Sequence, residues 1–515
     1  MKSSEELIKL ILCLCLVWLI CTALAGIVQA QTQRKPNVLF MMGDDHAPYV
    51  MGAYGNQLAR TPNLDRLAAG GVRFNHAYPN SPVCTPSRQS LITGKLPHAA
   101  GVTLLRTPLA EHQLTIAEHL KQFGYRTGAV GKMHFNSKLK HGFDYRIDLP
   151  EYQRWLKERP TRAVPAQMRV KQPQFRPFVD SARVWLNGDY LPAGRHDEEM
   201  AGTFLARRAI EFLEQKSEQP FCLWVSFYEP HSPFDFPIEY AGIFDPKQMP
   251  VGNIGREDGK QIPKVFNDLS YEEKQKIVAS YYTSVAFLDK NVGLVLDAVK
   301  RLNLENETLI IYVGDHGYNL GHHGRFEKHT FWETAVRAPL LISYPQRFVR
   351  GKVVNALVEF VDLMPTILDV CGVSHPEGLQ GQSLVPLLRG KTKRGREYVF
   401  SEYLFGWEEA MIRTRRWKLI YTKGNMNRTD GYETAYPKSG KSKRLYDVVK
   451  DPDEMTNLAG RPAYQKIVRE LQKKLYERLV STQPKGQRVP PGLSQEEVID
   501  RLLRPAEGVQ PSGTQ

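Results

Sequence analysis

Residues 37–45 read NVLFMMGDD, an unbroken apolar run that ends in a glycine and two aspartates. Apolar runs of this length without alternation predict strands that are buried on both faces of a sheet. Residues 126–130, 221–227 and 308–313 predict further strands, and helical segments such as residues 270–302 separate them. Buried strands that alternate with helices indicate a parallel sheet covered by helices, so the sequence predicts an α/β fold.

Each of these predicted strands is followed by side chains that can bind a metal or transfer a proton. The groups are Asp44 with Asp45, Lys132 with His134, His231, and Asp315 with His316. Because the carboxyl ends of parallel strands share one edge of a sheet, we expect these side chains to meet there. The sequence therefore predicts a catalytic or metal-binding site at that edge.

The composition is that of a large folded protein with a basic surface. The chain has 515 residues, 42% of them apolar, and its 69 Lys and Arg against 55 Asp and Glu give a formal charge of +14. These values exclude a disordered, collagen-like or coiled-coil chain, and at ~100–200 residues per domain the length allows two to four domains. The positive charge suits nucleic acid, an anionic membrane surface or a sulfated or otherwise acidic substrate.

Residues 1–30 have the pattern of a secretory signal peptide. Residues 10–28 are almost wholly apolar, Lys2 and Lys9 precede them, and residues 28–30 (Val-Gln-Ala) offer a small-residue cleavage site. The run is close to the ~20 residues that span a bilayer, so an uncleaved anchor is the alternative. We predict cleavage and an exported protein, periplasmic or extracellular, or lysosomal in a eukaryote, with no membrane association after cleavage.

The predicted mature chain has the scattered cysteines Cys84, Cys222 and Cys371. Three cysteines spread over an exported chain do not form a disulfide framework. Cys222 and Cys371 lie in apolar runs, which predicts buried hydrophobic side chains. Cys84 lies in a polar turn between two prolines and needs a different explanation.

The sequence pattern changes at the basic linker 391–394, after which short strand-like pieces and one amphipathic helix follow. We therefore predict a catalytic domain at 35–390 and a smaller C-terminal α+β subdomain at 396–485. Residues 423–443 are polar and rich in Gly, Lys and Thr, which predicts an exposed loop. The Pro- and Gly-rich residues 490–515 predict a mobile tail.

Residues 84–88 read CTPSR and are followed by TG at 93–94, which resembles the sulfatase signature Cys-x-Pro-x-Arg with Thr-Gly downstream. Further blocks occur in the order of that family: GDD at 43–45, GKMH at 131–134, PHSP at 230–233, GDHG at 314–317, Lys328, and a C-terminal stretch at 445–458. The resemblance covers nearly the whole mature chain. It implies the alkaline-phosphatase-like sandwich fold and hydrolysis of sulfate esters, and its nearest motifs are those of the iduronate-sulfatase and choline-sulfatase branches.

The resemblance gives Cys84 a role. In this family the corresponding cysteine is oxidised to formylglycine by a formylglycine-generating enzyme, which is thus an expected maturation partner. The hydrated aldehyde carries two hydroxyls: one attacks sulfur while the alcohol leaves, and the second releases sulfate as the aldehyde reforms. An ordinary surface cysteine is the alternative. Arg88 lies one turn further if a helix starts near Pro86, which would return its guanidinium to the aldehyde.

The resemblance also implies one divalent cation, held by Asp44, Asp45, Asp315, His316 and the group at Cys84. Carboxylate oxygens are the ligands that Ca²⁺ prefers, so Ca²⁺ is the expected ion. Many family members have Asn at the position of His316, and a nitrogen ligand is less usual for Ca²⁺. The alternative for His316 is therefore a hydrogen-bonding role next to the ligands.

Four further side chains have roles that the resemblance implies. Lys132 and His134 are two apart on a segment expected to be extended, so both should point to one side, towards the aldehyde and the sulfate, with His134 a base. His231 and Lys328 should meet the leaving-group oxygen, with His231 the acid. The other histidines of the Lys328 loop have no assigned role and are expected to be solvated: His322, His323 and His329.

Two other functions compete with sulfate-ester hydrolysis. A phosphodiesterase or phosphonate monoester hydrolase would use the same fold and nucleophile on phosphorus. An inactive protein that binds polyanions is a different class, and the complete residue set argues against it. Nucleic-acid binding has no supporting motif. The basic charge fits a sulfated saccharide as the substrate, although small sulfate esters stay open, with specificity expected in residues 150–200 and in the C-terminal subdomain.

Overall fold

The computed structural model places the strand that was predicted at residues 37–42 in the middle of the main sheet. Besides Lys9 and Leu14, it describes residues 35–172, 180–404, 408–424, 441–484 and 489–506. The predicted signal peptide and its cleavage site therefore lie outside the described residues, apart from those two positions. Of the helices in the described ranges, none combines the length and the apolar character that crossing a bilayer requires.

Eight strands form the main sheet. In chain order they are β1 (Asn37–Gly43), β2 (Val72–Tyr78), β3 (Arg126–Gly131), β4 (Tyr145–Ile147), β5 (Phe221–Ser226), β6 (Thr308–Gly314), β7 (Ala338–Ser343) and β8 (Lys352–Glu359). Their order across the sheet is β4-β3-β5-β1-β6-β7-β2-β8. Strand β7 runs antiparallel to β6 and β2, and the other neighbours pair in parallel. The four predicted strands are confirmed as the contiguous group β3-β5-β1-β6.

The register of these strands explains why their polar ends meet. Gly43 of β1 pairs with Gly314 of β6, and Met42 pairs with Ser226 of β5. Gly131 of β3 pairs with the same Ser226. The aspartates that follow β1 and β6 and the lysine that follows β3 therefore leave the sheet next to one another.

Both faces of β1 are buried, as its unbroken apolar run predicts. Val38 and Phe40 belong to the apolar core on one face of the sheet, and Leu39 and Met41 belong to the core on the other. Because successive side chains of a strand point to opposite faces, a strand between two helical layers needs apolar residues at every position. This packing fixes the position of β1 in the sheet and therefore the point at which Asp44 and Asp45 follow it.

Helices pack on both faces of this sheet and beside it. They are α1 (Pro62–Gly70), α2 (Cys84–Thr93), α3 (Pro97–Ala100), α4 (Ile116–Gln122), α5 (Leu149–Lys157), α6 (Ala182–Trp185), α7 (Ala201–Glu214), α8 (Lys264–Asn267), α9 (Tyr271–Arg301), α10 (Glu333–Val336), α11 (Leu363–Cys371) and α12 (Val385–Leu388). The predicted capping box of α9 is present. Ser270 accepts from the backbone N–H of Glu273, whose carboxylate accepts from the backbone N–H of Ser270.

A second sheet follows the basic linker. It is antiparallel, in the order β12-β11-β10-β9. Its strands and its two helices are β9 (Tyr398–Tyr403), β10 (Glu409–Thr414), β11 (Trp417–Thr422), β12 (Ser442–Asp447), α13 (Gln465–Ser481) and α14 (Gln495–Leu502). Phe400 and Leu475 pack in one apolar cluster with Leu96 and Val361, which precede the linker. The two sheets therefore share apolar contacts, and the described residues from Asn37 onward form one compact unit.

Helix α14 corrects the prediction of a mobile tail at 490–515. The helix begins with a capping box between Ser494 and Glu497, and it buries Val498 and Ile499. The Pro and Gly content of these residues predicts mobility, but a short amphipathic segment between the prolines forms a helix. Residues 507–515, like residues 425–440 of the predicted exposed loop, lie outside the described residues.

A buried ion cluster ties the second sheet to the main domain. The Lys418 ammonium on β11 is 2.9 Å from Glu333 Oε1 and 2.6 Å from Glu454 Oε1, and it donates to the Phe331 carbonyl at 2.7 Å. Lys418 has no exposed surface. Because Phe331 and Glu333 follow Lys328 closely, this cluster anchors the end of the loop that carries Lys328.

Candidate active site

Cys84 is the first residue of α2 and is 1% exposed. Its sulfur is 3.3 Å from His316 Nε2, accepts from the Lys328 ammonium at 3.2 Å and is 3.9 Å from Asp45 Oδ1. Burial raises the pKa of the Cys84 thiol well above its usual value, and this effect outweighs the opposing effect of the Lys328 ammonium. The polar turn expected around Cys84 is thus a buried helix start, and the thiol there stays protonated.

Three further ligand atoms lie next to the Cys84 sulfur. A single donor atom each from Asp45, Cys84, Asp315 and His316 fits within a cluster whose members are all within 4.8 Å of one another. Asp315 Oδ1 accepts from the backbone N–H groups of Asp45 at 2.9 Å and His316 at 3.1 Å, which fixes the carboxylate. The predicted convergence of strands β1 and β6 with Cys84 is present in the structure.

The His316 ring is oriented by its backbone neighbour. Nδ1 lies 3.0 Å from the Gly317 carbonyl, which can only accept, so Nδ1 carries a hydrogen, and in the neutral ring Nε2 is the nitrogen with the lone pair. Nε2 is 3.4 Å from Asp45 Oδ1 and 3.7 Å from Asp315 Oδ1. The lone pair therefore points into the cluster, as a metal ligand would require.

Asp44 and Asp45 face different partners although they are neighbours in the chain. Asp45 has a positive φ of 68°, in the left-handed region that Asp tolerates better than most residues. The Asp44 carboxylate contacts the Lys132 ammonium and lies 3.3 Å from Arg88 Nη2. The Asp45 carboxylate accepts from the Lys328 ammonium at 2.7 and 3.0 Å.

The cations decide the charge state of these carboxylates. Burial opposes ionisation of Asp44, but Lys132, with Arg88 and other cations, outweighs it and holds the pKa of Asp44 well below its usual value. Burial likewise opposes ionisation of Asp45, and Lys328 lowers its pKa below the usual value. For Asp315, burial dominates and raises the pKa. Without further positive charge, the site therefore holds Asp44 and Asp45 ionised more firmly than Asp315.

Arg88 lies one helical turn after Cys84, as predicted, and its contact with an aldehyde at position 84 stays a prediction. Its guanidinium donates to Asp315 Oδ2 at 2.9 Å, to the Lys132 carbonyl at 2.6 Å and to Ser226 Oγ at 2.5 Å. Arg88 therefore ties the carboxylates that follow β1 and β6 to the ends of β3 and β5. The helix start at Cys84, two residues before Pro86, gives Arg88 this position.

His134 reaches the site by a different backbone path from the one predicted. Its φ is +55°, so the segment is not extended and the predicted reason for a shared direction with Lys132 is wrong. The side chain meets the Cys84 turn instead, because Nδ1 lies 3.1 Å from Thr85 Oγ1. Thr85 Oγ1 donates to the Leu105 carbonyl at 2.6 Å, so it accepts from His134, and His134 Nε2 keeps its lone pair.

Burial and the neighbouring cations Lys132 and Arg88 hold the pKa of His134 well below its usual value. The ring is therefore neutral near pH 7, with Nε2 available to accept a proton. Gln89 adds to this arrangement by donating to the His134 carbonyl at 2.6 Å, which fixes the backbone of the turn.

His231 and Lys328 lie on the other side of Asp45. His231 Nε2 is 3.9 Å from Asp45 Oδ2, and Nδ1 is 2.8 Å from the Ser232 carbonyl, so Nδ1 carries the hydrogen. The side chain is 35% exposed, more than the other residues of the site that form ion pairs. Burial of the rest of the ring, with Lys328 and Lys132 nearby, lowers the pKa of His231 to about 4. This ring thus borders both the carboxylates and solvent.

The donor set fits a hard divalent cation. Asp45 and Asp315 offer carboxylate oxygens, and Asp44 Oδ1 is buried with the Arg88 ion pair at 3.3 Å but makes no hydrogen bond among the described residues. A buried carboxylate oxygen that makes no hydrogen bond is suited to a metal ligand. Asp44 is outside the tightest group of donor atoms, so its role as a ligand stays a prediction.

The three histidines without an assigned role are not a solvated group. His323 is 2% exposed, stacks on Trp332 at 3.9 Å and pairs with Asp258 at 3.0 Å. His329 stacks on Tyr403 at 5.7 Å. His322 borders a cavity of about 270 Å³. The expectation of solvated side chains is wrong because His323 packs against Trp332 and Asp258, and His329 packs against Tyr403.

Sequence reasoning missed residues that hydrogen-bond to the predicted site residues and hold them in place. Thr85 orients His134, Ser226 accepts from Arg88, and Ser87 Oγ donates to the Asp315 carbonyl at 2.6 Å. Thr85 and Ser87 occupy the variable positions of the CTPSR pattern. Their hydroxyl groups are the only feature of the sequence that could have indicated a role in the site. Ser226 ends β5, and its position opposite Gly131 was not visible without the register.

Comparison with known protein families agrees with this geometry. The sulfatase family model matches residues 36–373, and a model for the C-terminal part of N-sulphoglucosamine sulphohydrolase matches residues 321–481. The first match alone spans more than half of the chain and contains every predicted site residue. The second covers the Lys328 loop, all four strands of the second sheet and α13.

Individual relatives match over most of their length. The N-acetylglucosamine-6-O-sulfatase of Bacteroides thetaiotaomicron is 27% identical, with 87% of each chain covered. The phosphonate monoester hydrolase of Agrobacterium radiobacter has a similar structure, with a TM-score of 0.73 at 24% identity and coverage of 87% and 96%. A protein solved with its substrate D-glucosamine-2-N,6-O-disulfate gives 0.69 at 24% identity and coverage of 88% and 100%. These two structures support the fold.

Proposed function

The chain belongs to the sulfatase family and is a sulfuric ester hydrolase, and we propose that it desulfates a saccharide with a formylglycine made from Cys84 and one divalent cation. The observation that carries this proposal is the convergence of donor atoms from Asp45, Cys84, Asp315 and His316 within 4.8 Å of one another. A reactive group at Cys84 would thus lie among ligands for a cation and beside the Lys328 ammonium.

The cations around the cluster support binding of a sulfate group. Arg88, Lys132 and Lys328 each contact a carboxylate of the site, and all three are at least nine-tenths buried. Cys84 is also the first residue of α2, whose N-terminal N–H groups favour a negative charge. The sulfate group of the substrate would bind beside these cations and the helix N-terminus in place of water.

Asp44, Asp45, Asp315 and His316 would hold the cation, for which Ca²⁺ suits the oxygen-rich donor set. Bound there, the ion would lower the pKa of a coordinated hydroxyl and screen the charge of the sulfate. The chain itself supplies the geometry: the Asp45 and His316 backbone N–H groups fix Asp315, and the Gly317 carbonyl fixes the His316 tautomer.

Formylglycine at Cys84 would supply two hydroxyls on one carbon, which a thiol cannot. The Lys328 ammonium, 3.2 Å from the Cys84 sulfur, is placed to stabilise negative charge at this position. Arg88 holds Asp315 and the Lys132 carbonyl and so keeps the surrounding ligands in place.

Two histidines are placed for proton transfer. His134 keeps the lone pair of Nε2 because Thr85 accepts from its Nδ1, which suits a base that takes a hydroxyl proton. His231 borders solvent with Nε2 near Asp45, which suits an acid that protonates the leaving alcohol. The negative charge of bound sulfate would raise the low pKa of His231 and favour its protonated form.

A sulfated saccharide is the substrate class that we propose. The relatives include an N-acetylglucosamine-6-O-sulfatase, and a structurally similar protein binds D-glucosamine-2-N,6-O-disulfate. The charge of +14 also favours an anionic polymer over a small ester. We propose an exported enzyme, in keeping with the apolar N-terminus.

The experiment that tests this function combines mass spectrometry with activity. The peptide that contains Cys84 should show the mass loss of thiol-to-aldehyde conversion, and the aldehyde should react with a hydrazide. Cys84→Ala should fold but be inactive. Cys84→Ser has one hydroxyl, so it should accept sulfate once and retain it as a covalent ester on the serine.

A protein that turns over sulfate esters with only unmodified Cys84 would refute the proposed nucleophile. Rates on an aryl sulfate and on an aryl phosphate diester should be compared in the same preparation. Faster hydrolysis of the diester would favour the phosphodiesterase alternative, whereas a panel of defined sulfated saccharides, with choline sulfate as the control, identifies the substrate.

A further inference from the structure

A row of exposed cations lies away from the catalytic residues. It consists of side chains from two segments, 347–352 and 389–394, which read RFVRGK and RGKTKR. We call this the cation row and define it by its exposed members Arg350, Arg389, Lys391, Lys393 and Arg394. No part of the proposed chemistry uses these residues.

The two segments are neighbours in the fold. The Val349 N–H donates to the Leu388 carbonyl at 3.4 Å, and the Lys352 ammonium donates to the Leu387 carbonyl at 2.9 Å. The same ammonium lies beside Gly390. Arg350 and the residues around Arg389 therefore meet at the start of β8.

The basic segment then runs along β8, which is the last strand of the main sheet. It starts next to Val349 and ends where the Arg396 N–H donates to the carbonyl of Leu357, near the end of β8. From Lys352 to Leu357 a strand covers about 17 Å at ~3.3 Å per residue. The segment that carries four of the five cations thus lies beside β8, between these two points.

Acidic side chains do not neutralise the cation row. Arg396, which follows it, is paired with Asp362, and Glu397 is paired with Lys474. In contrast, none of the five members of the cation row forms an ion pair with any residue in the described part of the chain. Five unpaired cations on two neighbouring segments create a local field of one sign.

The position of the row relative to the catalytic edge follows from the sheet order. β8 runs in the same direction as β1, because it is parallel to β2 and the two antiparallel pairings of β7 restore the direction. Four strand spacings separate β8 from β1, which is about 19 Å at ~4.8 Å per strand. The row therefore points towards the edge that carries the site but lies too far away to touch one sugar bound there.

We propose that the cation row binds an extended sulfated polysaccharide chain outside the active site. The inference rests on the proposed function, since it takes the substrate to be part of such a chain. A polyanion can bind several exposed cations that no carboxylate neutralises, and a hydrolase of sulfated polysaccharides would meet this polymer during its reaction. Nucleic acid is disfavoured because the segments carry no exposed aromatic side chain for base stacking.

The test neutralises the row without touching the catalytic residues. The row variant combines Arg350→Gln, Arg389→Gln, Lys391→Gln, Lys393→Gln and Arg394→Gln, and keeps Lys352, which holds the two segments together. The control variant removes the same charge from exposed cations elsewhere: Lys216→Gln, Lys300→Gln, Lys450→Gln, Lys466→Gln and Arg469→Gln. Binding is measured with dextran sulfate by titration at several salt concentrations.

We expect the row variant to bind dextran sulfate at least ~10-fold more weakly at ~0.1 M salt than the control variant. The slope of log Kd against log salt should fall by roughly 0.7 for each cation that contacts the polymer, by analogy with single-stranded nucleic acid. The kcat/KM for a small aryl sulfate should stay within about twofold in both variants, because a single charged ester binds only at the catalytic edge. This last measurement reports on the proposed function separately from the cation row.

Three results would overturn the proposal. The first is equal binding of dextran sulfate by the row and control variants. The second is that the wild type binds phosphatidylserine vesicles or duplex DNA more tightly than dextran sulfate, and that the row variant loses this binding while the control variant keeps it. The third is unchanged polymer binding together with self-association of the row variant, which would mean that the cations protect the edge of β8.

Discussion

The hydroxyl of Thr85 gives the sharpest test of the proposed base. It donates to the Leu105 carbonyl at 2.6 Å and accepts from His134 Nδ1 at 3.1 Å, so it sets which ring nitrogen of His134 carries the hydrogen. Thr85→Val has nearly the same shape but removes both hydrogen bonds. Thr85→Ser keeps the hydroxyl and is the matched control.

The size of the effect can be bounded. The lost hydrogen bond to His134 is worth about 1 to 1.5 kcal/mol, which corresponds to roughly tenfold in the population of the correct orientation. If the tautomer also changes, the whole contribution of a general base is lost, typically ~10² to 10⁴ in rate. We therefore expect Thr85→Val to lower kcat by between ~10 and ~10⁴, with KM within about threefold because the hydroxyl faces the backbone.

The assay is the steady-state hydrolysis of a small aryl sulfate, with rates expressed per aldehyde measured by hydrazide labelling. This normalisation matters because residue 85 follows the modified position directly. Thr85→Ser should recover most of the lost kcat. Full kcat in Thr85→Val, with equal aldehyde content, would show that His134 does not act as the base.

Other consequences concern stability and the cation. Lys418→Met should lower the free energy of unfolding by about 3–5 kcal/mol, because it leaves the buried Glu454 carboxylate without its cation and removes the nearer of two cations from Glu333, whose other partner Arg413 is 3.6 Å away. Lys474→Met breaks a more exposed pair and should cost under ~1 kcal/mol in the same urea titration. Burial, with Arg413 and Arg337, lowers the pKa of His76 to about 4 from 6.5. As the pH falls below 6.5, the unfolded chain therefore takes up a proton at His76 that the folded chain excludes. Between pH 7.5 and pH 5 the free energy of unfolding of the wild type should fall by about 2 kcal/mol more than that of His76→Gln. Equal losses in the two proteins would contradict this. A chelator should abolish sulfate-ester hydrolysis and Asp315→Ala should lose bound cation, so an active metal-free protein would contradict the site.

Strand patterning was enough to predict the centre of the fold. The apolar runs at β1, β3, β5 and β6 are buried on both faces and adjacent, so their hydrophobic pattern and their position agree. The antiparallel strand β7 has an equally apolar sequence, and nothing in a run of apolar residues states the direction in which it pairs. The mobile tail was wrong for a related reason, because composition over 26 residues concealed the short helix α14.

Site residues could be predicted where a strand end or a motif marks them, as with Asp45, Cys84 and Asp315. Their orientation could not. His134 was expected on an extended segment, whereas its left-handed backbone turns the ring onto Thr85. The partners of Arg88 in the structure are two carboxylates and a serine, which follow or end strands far apart in the sequence. Long-range pairing decides such contacts, and single-sequence patterns carry no record of it.

The burial of Cys84 has a consequence for the order of events in the life of the chain. Every residue of α2 is buried, and the ring of His316, which lies 232 positions later, sits against the Cys84 sulfur. A modifying enzyme needs a length of free chain around its target, and the folded protein offers none here. The proposed oxidation of Cys84 would therefore take place while the chain is being made or exported, before β6 joins β1, and a copy that folded unmodified would lack the proposed nucleophile for as long as it remained folded.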